Sequence, residues 1–245
     1  MVVIVSQFPI PEGKSGQEIV DRLIKQFESM QFQRVGNFVV DCETYYSAPI
    51  INPPRVLNII HNSEYPATCF AQLDTGTILR ADSYFDAMMV VMNGVYQAKR
   101  GNKIECKGPK FQKGDFIVRI GSVSIGPSFR GILVEIEYGP CSVPIYCWDL
   151  LKEFIKTFMR VPKEPPPYYK NRMTDVCTPV DTISQYNIHF SNYRKMTLIS
   201  SCPPPNPSAP KGPNNNDGNH NGNSGDQNKS QPGDGSTSEI IIANV

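Results

Sequence analysis

The first apolar run, residues 2–8, is rich in β-branched side chains and is closed by Pro9 and Pro11, which predicts a strand. Ser15-x-x-Glu18 then has the form of a capping box, in which the hydroxyl accepts from the amide three residues on and the carboxylate reaches back to the cap. Ile19, Val20, Leu23, Ile24, Phe27 and Met30 follow at helical spacing, with Asp21, Arg22, Lys25 and Glu28 mostly off that face. A helix with one side turned to a core is expected here. Beyond it the period shortens. Phe38, Val40 and Cys42 alternate with Val39, Asp41 and Glu43, and further strands are predicted over 56–60, 67–73 and 77–81, the last two flanking Asp74-Thr75-Gly76 as a hairpin turn. Asp82-Ser83 caps a short helix carrying Phe85, Met88, Met89 and Met92, which Asn93-Gly94 ends.

Three more strands, over 103–107, 115–125 and 131–138, are separated only by Lys113-Gly114 and Gly126-Pro127. Such short links predict an antiparallel meander, since parallel neighbours need crossovers of about a dozen residues or more. A helix over 148–160 turns Leu150, Leu151, Phe154, Ile155 and Phe158 to one side, and the four prolines between positions 162 and 167 make an extended linker. A last helix begins at Pro179, a good first-turn residue, and carries Val180, Ile183, Tyr186, Phe190 and Tyr193. The pattern predicts an α+β fold dominated by an antiparallel sheet of a size to form a β-barrel, with flanking helices.

Composition divides the chain of 245 residues in two. Residues 202–238 hold seven Pro, six Gly and eight Asn, no aromatic residue and, in Ala209, one aliphatic side chain. That stretch cannot bury enough apolar surface to offset the entropy of ordering. The expected organisation is therefore a folded domain over 1–198 and a disordered Asn/Gly/Pro-rich tail over 199–245. With 24 basic and 23 acidic residues the formal charge is +1, and no Lys/Arg stripe is interleaved with aromatics. Direct nucleic-acid binding is not expected. Lys99, Arg100, Lys103, Lys107, Lys110 and Lys113 are read as a solvated hairpin. No apolar run reaches the length of a membrane span. The odd count of seven cysteines, none at CxxC spacing, predicts reduced thiols in a cytosolic or nuclear setting.

Catalytic and metal motifs are not found. No Cys–His pair has zinc-ligand spacing, and phosphate-loop, dinucleotide and nucleophile-elbow patterns are absent from the sequence. Cys42, between Asp41 and Glu43, is read as a packed cysteine whose acidic neighbours raise its thiol pKa. One constellation invites an enzymatic alternative. Glu135 and Glu137 share a face of their strand with Leu133, and paired glutamates inside a β-tunnel can hold Mg²⁺ or Mn²⁺ for phosphohydrolase chemistry. A second acidic strand is lacking, and the simpler reading is a solvated strand face. No catalytic residue, cofactor or metal is expected.

Several motifs resemble one family. They are Val5-Ser6-Gln7 with Glu12-Gly13-Lys14-Ser15; Val40-Asp41-Cys42-Glu43-Thr44-Tyr45; and His61-Asn62-Ser63-Glu64-Tyr65-Pro66 with Cys69-Phe70-Ala71. Further on come Gly114-Asp115-Phe116, Gly126-Pro127-Ser128, residues 134–141 to Trp148, and Asp181-Thr182-Ile183-Ser184-Gln185-Tyr186. Over residues 1–195 this is similar to the Mediator complex subunit 20, or TRF-proximal protein, family. The resemblance implies a β-barrel with flanking helices in a nuclear, non-enzymatic coactivator subunit of the Mediator head module. It implies pairing with Mediator subunit 18, tethering by subunit 8, and transmission of activator signals to RNA polymerase II. It also implies a barrel class likened to tunnel-type RNA triphosphatases. The likeness weakens over 48–54 and 162–173, and the tail has no counterpart in it. Phe8, Ile10, Ile50, Ile51 and Phe129 sit in loops or at strand ends without a periodic role. They are the candidate partner-binding residues.

Overall fold

A computed structural model describes residues 1–98, 101, 103–159, 165–200 and 240–242. Eight strands form one antiparallel array in the order β1 (Val2–Phe8), β9 (Ser128–Tyr138), β8 (Phe116–Ile125), β7 (Ile104–Lys113), β2 (Gln33–Ser47), β3 (Val56–Asn62), β4 (Thr68–Leu73) and β5 (Ile78–Asp82). The short β6 (Tyr96–Ala98) pairs with the end of β2. The predicted meander is β7–β8–β9, and the hairpin around Asp74-Thr75-Gly76 is β4–β5. In the expected tail, residues 201–239 and 243–245 lie outside the described residues, and β10 (Ile240–Ile242) pairs in parallel with Ile78–Arg80 of β5.

The strands are apolar on both sides because both sides are covered. On the concave side α4 (Pro179–Ser200) packs Ile183, Tyr186, Phe190 and Tyr193 against Val3, Val5, Leu133, Val123, Cys106, Val40, Ile60 and Phe70, drawn from seven strands. Proline at its first turn and the bonds from the Thr178 amide and hydroxyl to Asp181 Oδ2, at 2.6 and 2.8 Å, fix where this helix starts. Gly131 admits it, since a β-carbon there would stand 2.5 Å from the Tyr193 hydroxyl.

On the convex side α1 (Gly16–Ser29) and α3 (Pro144–Lys156) cover β1, β7, β8 and β9 with a core that includes Leu23, Phe27, Leu151, Phe111, Val134 and Ile136. The predicted capping box is half formed, with the Glu18 amide donating to Ser15 Oγ at 3.2 Å. Further along the same side, α2 (Phe85–Val91) lies over β3 and β4 and buries Met89 against Leu57, Ile59, Cys69 and Ala71.

The sheet curls like a barrel but stays open, with β1 at one end of the array. Its free edge is met by side chains of α4 instead of another strand. The Val5 amide donates to Gln185 Oε1 at 3.0 Å, Gln185 Nε2 donates to Val3 O at 3.0 Å, and His189 Nε2 donates to Val5 O at 3.1 Å. The Tyr169 hydroxyl adds a fourth bond, to Val3 O at 2.6 Å. These partners satisfy backbone groups that a closing strand would otherwise take.

Candidate functional site

Register alone brings charges together on the concave face. Lys110 of β7 stands opposite Arg119 of β8, which stands opposite Glu135 of β9. Arg119 Nη1 donates to Glu135 Oε1 at 2.6 Å and to Glu137 Oε2 at 2.8 Å, and its Nη2 donates to Glu64 Oε2 at 2.8 Å. Lys110 Nζ meets the same Glu64 oxygen at 2.6 Å, and the Tyr186 hydroxyl of α4 donates to Glu135 Oε2 at 2.6 Å. Glu135 and Arg119 are each 3% exposed, so the pair of glutamates is not the solvated strand face expected from its alternation. Nor is Lys110 part of a solvated hairpin: it is half-buried against Glu64. A cavity of about 170 Å³ opens beside the cluster, walled by Glu64, Tyr65, Lys110, Arg119, Glu137 and Thr182 among others.

The carboxylates respond differently to this setting. Burial raises the pKa of Glu135, with Arg119 and Tyr186 offsetting only part of the effect. Burial also pushes Glu64 up, but its bonds from Lys110 and Arg119 outweigh that and hold it below the usual value. Burial, then the neighbouring Glu135, holds the Tyr186 phenol far above its ordinary range, so it stays a donor. Every carboxylate in the cluster is thus held by a cation, and Glu135 by the phenol as well. To coordinate a catalytic Mg²⁺ they would have to release these donors. Cys42 is a packed strand cysteine, as read, and burial raises its thiol pKa more than Asp41 and Glu43 do.

The apolar loop candidates separate. Phe8, at the end of β1, is buried in the α1/α3 core, and Ile10 packs half-buried against that core. Ile51 is half-buried. Ile50 is 88% exposed. Phe129 is exposed over part of its ring, the rest lying against Gly16 at the start of α1. The loop carrying Ile50 is joined through Ala48 N to Val95 O at 2.7 Å, next to the segment that follows α2. On α2 and just before it, Tyr84, Val90 and Val91 are 80%, 77% and 86% exposed. Sequence reasoning missed these three. The signal was available: Phe-Asp-Ala-Met-Met-Val-Val is apolar nearly all round, and a seven-residue surface helix can bury only one side.

A family model described as TATA-binding related factor (TRF) of subunit 20 of Mediator complex matches residues 1–191. The chain belongs to the Mediator subunit 20 family. The Mediator of RNA polymerase II transcription subunit 20 of Aedes aegypti is 43% identical over 216 residues, covering 82% of this chain and 98% of its own. The Rattus norvegicus subunit 20 is 43% identical over 205 residues, covering 81% and 96%. A chain from the Schizosaccharomyces pombe Mediator head module aligns with 13% identity and a TM-score of 0.34 over 64% of this chain and 95% of its own. The Mediator subunit 20 match ends inside α4, past Phe190. It therefore takes in the cluster around Arg119, the helix that completes it and the exposed side of α2.

Proposed function

We propose that this chain is a non-enzymatic interaction subunit of the Mediator head module, acting in the nucleus as a coactivator in RNA polymerase II transcription. Its direct partner is Mediator subunit 18, with subunit 8 as tether, and contact with the polymerase machinery is indirect. Family membership over residues 1–191 is the observation that carries this reading. Two features of the chain support it. Glu135 and Glu137, its best candidates for catalysis, are consumed by Arg119 and Tyr186, which favours a structural role over a tunnel-type phosphohydrolase. The solvent side, in contrast, presents Ile50, Phe129 and the apolar residues of α2, side chains that a partner can desolvate.

The test is affinity purification of the full chain from nuclear extract with mass spectrometry, followed by co-expression with subunit 18 and size-exclusion chromatography. Mediator subunits should dominate the first experiment, and the pair should co-elute in the second. Separate elution at micromolar concentration would reject the pairing, since permanent subunit interfaces bind far more tightly.

A further inference from the structure

On the convex face, antiparallel pairing sets His61 of β3 opposite Cys69 of β4, and the first turn of α2 contributes Asp86. A ring nitrogen of His61, Sγ of Cys69 and a carboxylate oxygen of Asp86 all lie within 4.8 Å of one another. His61 Nε2 is enclosed by protein and makes no hydrogen bond, although Asp86 Oδ2 stands 3.0 Å from it. The carboxylate is beside the nitrogen but off the line along which an N–H would donate. Across the ring, Nδ1 lies 3.3 Å from Asp41 Oδ1. A carboxylate on the far nitrogen is how metal-binding histidines are held in orientation.

We propose that His61, Cys69 and Asp86 bind Zn²⁺ through the imidazole Nε2, the Cys69 sulfur and a carboxylate oxygen, with Asp41 positioning the imidazole. A thiolate with an imidazole suits Zn²⁺ and disfavours Mg²⁺ and Ca²⁺, which take oxygen ligands. Three protein ligands leave one tetrahedral position to water, and the half-exposed Asp86 lies on the solvent side of the set. Binding releases the Cys69 thiol proton to solvent. The competing arrangement is a protonated His61 held by Asp41, the Cys69 sulfur and Asp86, which binds no metal and predicts no Zn²⁺-dependent rise in the melt. The ion would join α2 to two strands. A seven-residue helix is too short to persist alone, and α2 buries only Met89. The metal would then fix the helix whose outer side carries Val90 and Val91. This site goes beyond the Mediator reading and stands whether or not that reading holds.

The experiment uses the full chain, stripped with a chelator and titrated with Zn²⁺, and in parallel with Co²⁺ as a spectroscopic probe. One equivalent should bind, raise the melting temperature and, for Co²⁺, give a thiolate charge-transfer band. Cys69→Ser should abolish the band. Asp86→Asn should remove the Zn²⁺-induced rise, read as the difference between the metal-free and Zn²⁺-loaded melts of that same variant. Asp41→Asn should weaken binding about 10–100-fold. Absence of a Zn²⁺-dependent rise in the unmodified chain would overturn the proposal. So would a band that survives in Cys69→Ser and Asp86→Asn and is lost on Cys177→Ser, which would place the metal among the other thiols.

Discussion

Against the concave face α4 buries Tyr186 and Phe190 completely and leaves Glu135 with donors from two elements. Against the convex face of β3 and β4, α2 buries Met89 and turns Val90 and Val91 to solvent. One helix is an internal part whose polar groups are matched to strand positions. The other is a thin cover that fully buries one side chain and leaves Val90 and Val91 largely exposed. Polar groups inside specify the arrangement, because each misplacement strands a charge. Apolar groups outside do little for the isolated fold.

This contrast can be broken most severely at Arg119. Arg119→Ala leaves Glu135 and Glu137 without their cation, and a buried pair broken on one side costs about 3–5 kcal/mol. Denaturant unfolding should show a loss of that size, and a loss below about 1 kcal/mol would mean that the interior is not organised by this residue. Tyr186→Phe is milder. It keeps the ring and removes one donor to Glu135, with an expected loss of about 1–3 kcal/mol, read by the same unfolding curve.

Acid sharpens the comparison further. The Glu64 carboxyl sits below its ordinary value of 4.5 when folded. Its contribution is therefore present above that pH and is lost as pH falls through the folded value. A thermal melt series should show a shallower acid limb for Glu64→Gln than for the unmodified chain. The smallest effect on stability belongs to the outside. Val90→Asp with Val91→Asp should change unfolding by less than about 0.5 kcal/mol while removing co-purification with Mediator subunits. Equal recovery of those subunits would move the interface away from α2.

The sequence disclosed what depends on neighbours along the chain. Ser15 and the spacing of Ile19, Val20, Leu23 and Phe27 located α1, and Pro179 located the start of α4. The Gly-containing turns located the β7–β8–β9 meander. Local signals failed where capping is weak. The start of α3 at Pro144, expected at residue 148, follows Val143, which offers no capping side chain. They failed again where partners are remote. Glu135 meets Tyr186 across 51 residues, so alternation gave its face but not its burial. The exclusion of metal-ligand spacing treated His61 and Cys69 as unrelated. Only the β3–β4 register makes them neighbours. Alternation could not show that Phe8, the last residue of β1, is buried among the convex-side core residues, because that depends on the helices packed there.

The position of α4 has a consequence for how the chain folds in time. It is the last of the described helices in sequence, yet its side chains complete the core of seven strands and satisfy the edge of β1, the first strand. Until it is made, those strands present an apolar concave surface and an unpaired edge, the features that invite association between unfinished chains. Assembly must also wait for contacts that span nearly the whole domain, such as Val5 with Gln185 across 180 residues, and such long closures slow folding. A newborn chain of this kind is at its most vulnerable just before α4 docks.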